Sequence, residues 1–180
     1  MVKALIIIDM VESYKLDTYN AEEILKNQLR LIDAFNSKSY PVIMVMGDTN
    51  APSNPVMVRL WGNESEEHAK KGIDQLVPEL QNSKYSKMIK KPEYDAFFRT
   101  DLEEYCKNNN IDELYFCGVY SGVCVFFSAA GAAMRGIQPY LVVDAASSES
   151  PEWHERNSEN FQVLLGPLIT SDDLIKEIKN

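Results

Sequence analysis

Ala4-Leu-Ile-Ile-Ile8 is an uninterrupted apolar run near the start of the sequence, and it stops at the carboxylate of Asp9. A strand with one face in water alternates apolar and polar residues, whereas a strand covered by helices on both faces is apolar throughout. The run therefore predicts a buried strand of a parallel sheet, and it is too short to cross a membrane.

Runs of the same kind recur along the sequence, at Val42–Met46, Leu114–Cys117 and Gln138–Val143, with weaker ones at Lys87–Lys90 and Pro167–Thr170. Between them lie segments with apolar residues at helical spacing. Alternation of strands and helices is typical of an α/β protein with right-handed crossovers. We therefore predict a three-layer αβα sandwich, Rossmann-like, around an open and mostly parallel sheet of about six strands.

Start and stop signals accompany the predicted helices. Asn20 and Thr100 each precede a glutamate by three residues, which resembles a capping box. Thr170 stands just before two aspartates, which favour a helix start. Gly136 follows the Ala-rich stretch from Val123 to Arg135, where a glycine is well placed to end a helix.

The composition fits a single domain over residues 1–180. The 180 residues are 45% apolar and 25% charged, which rules out a disordered chain. Residues 47–86, which contain Pro52, Pro55 and Pro78, interrupt the alternation and predict a long loop insertion with short helical pieces. Such a loop inside a compact domain is typically functional, as a lid or an oligomer contact.

The charge balance and the cysteines restrict the partners. Lys and Arg number 18 against 27 Asp and Glu, a net charge of −9, so nucleic acid and anionic membrane surfaces would be repelled. Three cysteines cannot form a disulfide framework, and their odd number suggests a reducing compartment. We therefore expect a cytoplasmic protein that acts on small molecules or proteins, with no nucleic-acid or membrane partner.

Reactive side chains come at the ends of three of the predicted strands. Asp9 follows the first strand, Lys90 and Lys91 lie at the end of the weak third strand, and Cys124 lies beyond the turn Gly118-Val-Tyr-Ser-Gly122, where a helix begins. Because open α/β sheets bind ligands beyond the carboxyl ends of their strands, we expect these side chains to meet at one edge.

These residue types suit acyl transfer through a thioester. An ammonium and a helix N-terminus both favour the nucleophilic thiolate of Cys124. The carboxylate of Asp9 can take the thiol proton and return it to a leaving group, and backbone N–H groups at the helix start can stabilise an oxyanion. A Cys–His pair that uses His68 or His154 is an alternative.

Four spaced motifs are informative together: Leu5-Ile-Ile-Ile-Asp9-Met, Lys91-Pro-Glu-Tyr-Asp-Ala-Phe97, Gly118-Val-Tyr-Ser-Gly-Val-Cys124 and Val142-Val-Asp144-Ala. In this order they resemble the opening strand, the Lys-x-x-Tyr-(Ser/Asp)-Ala-Phe segment, the nucleophile turn and the next strand end of the isochorismatase-like cysteine hydrolases. That family includes nicotinamidases, N-carbamoyl amide hydrolases and isochorismatases. The resemblance covers nearly the whole chain, and it is specific for the family rather than for a substrate.

The resemblance implies that Cys124 is the nucleophile, Asp9 the general acid and base, and Lys91 the cationic partner. Lys91 rather than Lys90 has the family's spacing to the Tyr and Phe that follow. The chemistry that the resemblance implies is cofactor-free, so we expect no cofactor.

The resemblance also implies a non-proline cis peptide in the nucleophile turn, here between Val119 and Tyr120. The backbone N–H groups of Tyr120 and Cys124 would then form the oxyanion hole. We expect Tyr14 and Tyr120 to contact substrate. Trp61 is interpreted either as a residue at the pocket entrance, where it too would contact substrate, or as part of an oligomer contact.

The sequence departs from the metal site of the family's nicotinamidases, which have an Asp-x-His pair after the second strand. Here the pair is Asp48-Thr-Asn50, and only His68 could correspond to a further ligand. Two good ligands make a poor zinc or transition-metal site, so we expect no metal.

Three functions are therefore distinguished at this level. The first is hydrolysis of a small-molecule amide or carbamoyl C–N bond through a Cys124 thioester. The second is hydrolysis of an isochorismate-like vinyl ether, with Asp9 as the acid and no need for a nucleophilic cysteine. The third is a degenerate, non-catalytic homologue that acts in binding or assembly. From the family resemblance we also expect a homo-oligomer.

Overall fold

A computed structural model describes residues 1–15, 17–52, 54–62 and 75–180, with the side chain of Trp61 outside the described part. Its six strands are β1 (Val2–Ile8), β2 (Val42–Gly47), β3 (Lys87–Lys91), β4 (Ile111–Gly118), β5 (Gln138–Ala146) and β6 (Leu168–Ile169). They form one sheet in the order β3-β2-β1-β4-β5-β6, and every neighbouring pair is parallel. The predicted open parallel sheet is confirmed.

Eight helices belong to the described residues: α1 (Glu12–Lys15), α2 (Ala21–Ser37), α3 (Pro55–Trp61), α4 (Pro78–Gln81), α5 (Leu102–Asn108), α6 (Cys124–Ala133), α7 (Pro151–Leu164) and α8 (Ser171–Lys179). The longer helices cover both faces of the sheet. Helices α2 and α8 share one apolar core, and α5, α6 and α7 share the other. The alternate residues of β1 divide between these cores, which is why Ala4 to Ile8 is apolar without a break.

The strands β1 and β4 begin earlier than their apolar runs. Lys3 of β1 stands opposite Glu113 of β4 in the sheet register, and the Lys3 Nζ lies 3.6 Å from a carboxylate oxygen of Glu113. The two charges compensate each other across the strands, so the backbone ladder continues through residues that hydropathy alone would assign to loops.

Of the two predicted capping boxes, the one at Asn20 is wrong and the one at Thr100 forms only in part. Asn20 is the N-cap of α2, but its backbone is left-handed, with φ of 42°, and its side chain makes no capping bond. The N-cap of α5 is Asp101, and the Thr100 hydroxyl donates to the carbonyl of Ala96 while it accepts the N–H of Leu102 at 3.3 Å. The Thr170 hydroxyl does cap α8, by accepting the N–H of Asp173 at 3.2 Å.

The predicted insertion at residues 47–86 is described only in part. It contains α3 and α4, and the residues just before α4 lie against the chain beyond Asp9. Leu76 forms an antiparallel bridge with Val11, and the N–H of Val77 donates to the carbonyl of Met10 at 3.0 Å. This part of the insertion is thereby fixed beside the carboxyl edge of β1.

Within the described ranges, no helix combines the length and the apolarity that a membrane span requires.

Candidate active site

Three strands bring three reactive groups together at the carboxyl edge of the sheet. The Lys91 ammonium lies 2.8 Å from the Asp9 carboxylate and 3.3 Å from the Cys124 sulfur. Asp9 is 3% exposed and Lys91 5% exposed, so the pair is almost fully dehydrated. The structure therefore brings these three residues together, as the sequence predicts.

The strand periodicity decides between the two lysines of β3. Successive side chains of a strand point to opposite faces, so only one of two neighbours can enter the site. Lys90 is exposed and Lys91 is buried. Lys91 ends the strand, and its carbonyl accepts the N–H of Asp48 at 2.8 Å, which fixes the backbone from which the long side chain reaches across β2.

Asp9 leaves the sheet in a conformation that turns its carboxylate into the site. Its N–H still donates to the Val45 carbonyl of the neighbouring strand at 2.9 Å, and its own carbonyl accepts the N–H of Val11 at 2.8 Å. The φ of Asp9 is 50°, in the left-handed region that aspartate tolerates better than most residues.

The turn between β4 and α6 carries Cys124 to the first position of the helix. Gly118 has φ of 101°, and a Cβ on it would lie 2.0 Å from the carbonyl oxygen of Ile8, so only glycine allows β1 and this turn to approach so closely. The peptide between Val119 and Tyr120 is cis, as the family resemblance implies. The Tyr120 carbonyl accepts the N–H groups of both Val123 and Val125, at 2.9 and 3.3 Å, which closes the turn onto the helix.

The environment of Cys124 favours the thiol over the thiolate. The pKa of Cys124 is raised to about 12, chiefly because the thiol is buried. The Lys91 charge lowers this pKa, as expected from the sequence, but the Asp9 charge and the Asp9 hydrogen bond raise it. Burial alone would lower the pKa of Lys91, but Asp9 and Cys124 favour the ammonium more strongly and raise that pKa overall. The resting site therefore holds a carboxylate, an ammonium and a neutral thiol.

Tyr14 and Tyr120 form an aromatic pair beside this cluster. Their ring centroids are 5.6 Å apart, with the planes tilted by 52°. Burial raises the pKa of Tyr14, and the nearby charge of Asp9 raises it further, so Tyr14 is a neutral phenol. The structure places both predicted contact residues at the site. Trp61 ends α3, but its side chain, like the whole of His68, lies outside the described residues.

The residues after β2 form a local turn. One carboxylate oxygen of Asp48 accepts the N–H of Asn50 at 3.0 Å. The described residues contain no group of three or more His, Cys, Asp and Glu side chains that could hold a metal ion.

Sequence reasoning considered His154 only as a partner of Cys124, whereas the hydrogen bonds of its ring go to Ser121 and the Val143 carbonyl behind the nucleophile turn. Ser121 is fully buried there, and its hydroxyl lies 3.1 Å from Nδ1 of His154 and 3.5 Å from the amide nitrogen of Asn157, both on α7. The available signal was the helix start Ser150-Pro151, which places His154 and Asn157 on one helix face three residues apart.

The chain is similar to a known family and to several known proteins. A family model described as "Isochorismatase domain" matches residues 3–173. The chain is 25% identical to nicotinamidase 3 of Arabidopsis thaliana over 98% of this chain and 89% of that protein. It is 38% identical to a probable isochorismatase of Pseudomonas chlororaphis over 49% of this chain, and that match covers only 42% of the longer protein.

A solved structure extends the likeness to three dimensions. The crystal structure of N-carbamoylsarcosine amidase from Thermoplasma acidophilum superposes with a TM-score of 0.80 at 27% identity, over 96% of this chain and 98% of that one.

Proposed function

The chain belongs to the isochorismatase family of hydrolases, and we propose that it cleaves an amide or carbamoyl C–N bond of a small molecule through a thioester on Cys124. One observation carries this proposal: the Lys91 ammonium contacts both the Asp9 carboxylate and the Cys124 sulfur inside a dehydrated site. The similarity to a nicotinamidase and to an N-carbamoylsarcosine amidase supports C–N bond cleavage.

Asp9 is the general base of the first step. Because Cys124 rests as a thiol, the carboxylate takes its proton as the sulfur attacks the carbonyl carbon, which forms the C–S bond. Lys91 stays an ammonium and stabilises the negative charge that develops on the sulfur. The C–N bond then breaks, and Asp9 returns the proton to the departing nitrogen.

In the second step, water hydrolyses the thioester, and Asp9 again acts as the general base. Asp9 takes a proton from the water that attacks the thioester carbonyl, the C–S bond breaks, and the thiol of Cys124 recovers the proton. In both steps the carbonyl oxygen becomes an oxyanion, for which we propose the backbone N–H groups of Tyr120 and Cys124 as donors. Cys124 is the first residue of α6, where N–H groups have no partner inside the helix. No metal or other cofactor has a role in this scheme.

We propose Tyr14 and Tyr120 as substrate contacts because their paired rings stand beside the reacting cysteine. We also retain the sequence-based proposal that Trp61 contacts substrate at the pocket entrance. The insertion at residues 47–86 passes close to Asp9 at Leu76 and Val77, and this supports a part for it in enclosing a small substrate. One domain over residues 1–180, a cytoplasmic location and a homo-oligomeric state also remain proposals.

The test is a screen for ammonia release from primary amides and N-carbamoyl amino acids, with the acyl-enzyme trapped by acid and measured by mass spectrometry. Cys124→Ala should lower turnover by at least about 10³-fold and abolish the acyl adduct. Cys106→Ala is the matched control, because Cys106 is a buried packing residue of α5 that contacts the apolar core. Turnover that survives Cys124→Ala would refute the thioester mechanism.

Vinyl-ether hydrolysis is the second candidate, favoured by the 38% identity to a probable isochorismatase. In that reaction Asp9 would protonate the substrate and Cys124 would not bond to it. Cys124→Ala would then retain activity on isochorismate, whereas Asp9→Asn would lose it. A non-catalytic binding or assembly protein would show neither activity, and the contacts of Lys91 with both Asp9 and Cys124 argue against that alternative.

A further inference from the structure

The imidazole of His154 joins the buried nucleophile turn to strand β5. Its Nε2 lies 2.9 Å from the Val143 carbonyl oxygen, and its Nδ1 lies 3.1 Å from the Ser121 hydroxyl. Ser121 directly follows Tyr120, and the amide nitrogen of Asn157 approaches the same hydroxyl at 3.5 Å. Two residues of α7 therefore converge on one side chain of the turn.

The direction of each hydrogen bond follows from the groups present. A carbonyl oxygen only accepts, so Nε2 of His154 must carry a hydrogen. A neutral ring then has a lone pair on Nδ1, and the Ser121 hydroxyl must donate to it. The amide of Asn157 donates to the oxygen of the same hydroxyl. Burial lowers the pKa of His154, in agreement with the neutral ring, and the Val143 carbonyl opposes that shift only partly.

Other contacts leave the turn little freedom at this point. The N–H of Ser121 donates to the Ser147 carbonyl at 2.7 Å, and the N–H of Ser147 donates to the Gly118 carbonyl at 3.1 Å. A Cβ on Gly122 would lie within 2.5 Å of the side chain of Asn157, so the turn and α7 are in close contact. The Ser121 hydroxyl adds a side-chain anchor to these backbone contacts.

We propose that His154 is a positioning residue, which fixes the Ser121 hydroxyl and thereby the turn that presents Cys124 and the Tyr120 backbone to the substrate. This role rests on the proposed function, since it is needed only if the turn takes part in acyl transfer. His154 itself contacts neither the sulfur nor the Asp9–Lys91 pair in the hydrogen bonds that the structure describes.

Two substitutions separate the two hydrogen bonds of the ring. His154→Asn places its amide oxygen near the position of Nδ1, so it keeps an acceptor for Ser121 and gives up the Val143 bond. His154→Gln places its amide nitrogen near the position of Nε2, so it keeps the Val143 bond and gives up the acceptor. Ser121→Ala removes the hydroxyl itself. The probe substrate is p-nitrophenyl acetate, with the release of p-nitrophenolate measured by rapid mixing.

The expected result is a loss of acylation rate in His154→Gln and Ser121→Ala, by roughly fivefold each, the factor that one hydrogen bond contributes. KM should stay unchanged, because the substrate does not touch His154, and His154→Asn should restore most of the rate. The double variant Ser121→Ala, His154→Gln should be no slower than either single variant, because the two residues act through one bond.

Glu155→Asn and Glu155→Gln are the matched controls, since Glu155 is exposed on the same helix and its Asn and Gln variants differ from each other in helix propensity as the two His154 variants do. Equal rates in His154→Asn and His154→Gln, or losses that add in the double variant, would overturn the positioning role while leaving the thioester mechanism intact. A burst of p-nitrophenolate that persists in Cys124→Ala would instead overturn the proposed function, and the positioning role with it.

Discussion

At the scale of single residues, burial governs the chemistry of the site. A thiolate at Cys124 would add a second negative charge beside Asp9, where Lys91 is the ammonium that contacts both side chains. Removing a charge from water is unfavourable unless an opposite charge compensates it. The site therefore keeps one ion pair and one neutral thiol, and sulfur becomes anionic only as its proton passes to Asp9.

This arrangement predicts an unusual pH profile for alkylation by iodoacetamide. Because the pKa of Cys124 is raised to about 12, the rate should rise about tenfold per pH unit between about pH 6 and 9, with no plateau. Asp9→Asn removes a charge that raises this pKa and should therefore accelerate alkylation at a given pH. Peptide mass spectrometry of timed digests measures the rate at each cysteine.

Cys106 is the internal reference for that experiment. Burial also raises its pKa to about 12, but its side chain is almost inaccessible, so it should react far more slowly than Cys124 at every pH. A Cys124 rate that levels off between about pH 6 and 7 would mean a resting thiolate and would contradict this description of the site.

At the scale of structural elements, the nucleophile turn depends on its neighbours more than on its own sequence. Gly118 lies against the backbone of β1, and Ser147, the residue that follows β5, bonds to Gly118 and Ser121 on the two sides of the turn. The Asp144 carboxylate, at the end of the same strand, accepts the N–H and the hydroxyl of Ser171 at 2.7 Å each and so anchors the start of α8. Asp144, which belongs to one of the four motifs that resemble the family, thus has a structural role at the start of α8.

Alanine substitution of two glycines with positive φ, Gly118 and Gly136, tests whether the close approach of the turn to β1 requires glycine. Gly118→Ala would place a Cβ 2.0 Å from the Ile8 carbonyl oxygen, whereas Gly136→Ala would meet nothing within 4 Å. Both variants suffer the left-handed backbone penalty of about 1–2 kcal/mol. Gly118→Ala should lower the free energy of unfolding by at least about 4 kcal/mol, because backbone must also move.

Urea denaturation followed by circular dichroism measures both changes. Similar losses in Gly118→Ala and Gly136→Ala would show that the turn can shift away from β1, and would contradict a steric requirement for glycine at position 118.

At the scale of the whole molecule, two apolar cores share one sheet. Ile7 faces the core made with α2 and α8, and its neighbour Ile6 faces the core made with α5, α6 and α7. Both side chains are fully buried. Neither face of such a strand can accept a smaller or polar side chain without a loss of stability, because each face packs in one of the two cores.

Ile6→Ala and Ile7→Ala should therefore each lower the free energy of unfolding by about 2–5 kcal/mol, because each removes buried methylenes and leaves a cavity. The exposed Val163, at 82% accessibility, is the control, and Val163→Ala should change stability by less than about 0.5 kcal/mol. Guanidinium denaturation provides the measurement. A negligible effect from either isoleucine substitution would mean that one layer of helices packs only loosely on the sheet.

Hydropathy predicts the strands well and their ends less well. The five apolar residues from Ala4 to Ile8 need two covering layers, so they predict both the strand and the parallel class of sheet. Hydropathy cannot show that Lys3 and Glu113 compensate each other across two strands, since that pairing depends on register between distant segments. The capping box at Asn20 fails, and the one at Thr100 is incomplete, for a related reason: local spacing does not reveal the tertiary contacts that set the backbone conformation there.

Local patterns are enough to predict the layered α/β fold and the meeting of Asp9, Lys91 and Cys124 at one sheet edge, because strand periodicity and the direction of each strand can be read from nearby residues. The charges that these three groups hold depend instead on contacts between distant segments. The thiol of Cys124 depends on its burial and on the distances to Lys91 and Asp9. The contact between His154 and Ser121 likewise joins residues 33 positions apart, and no local pattern specifies which buried hydroxyl a helix will meet.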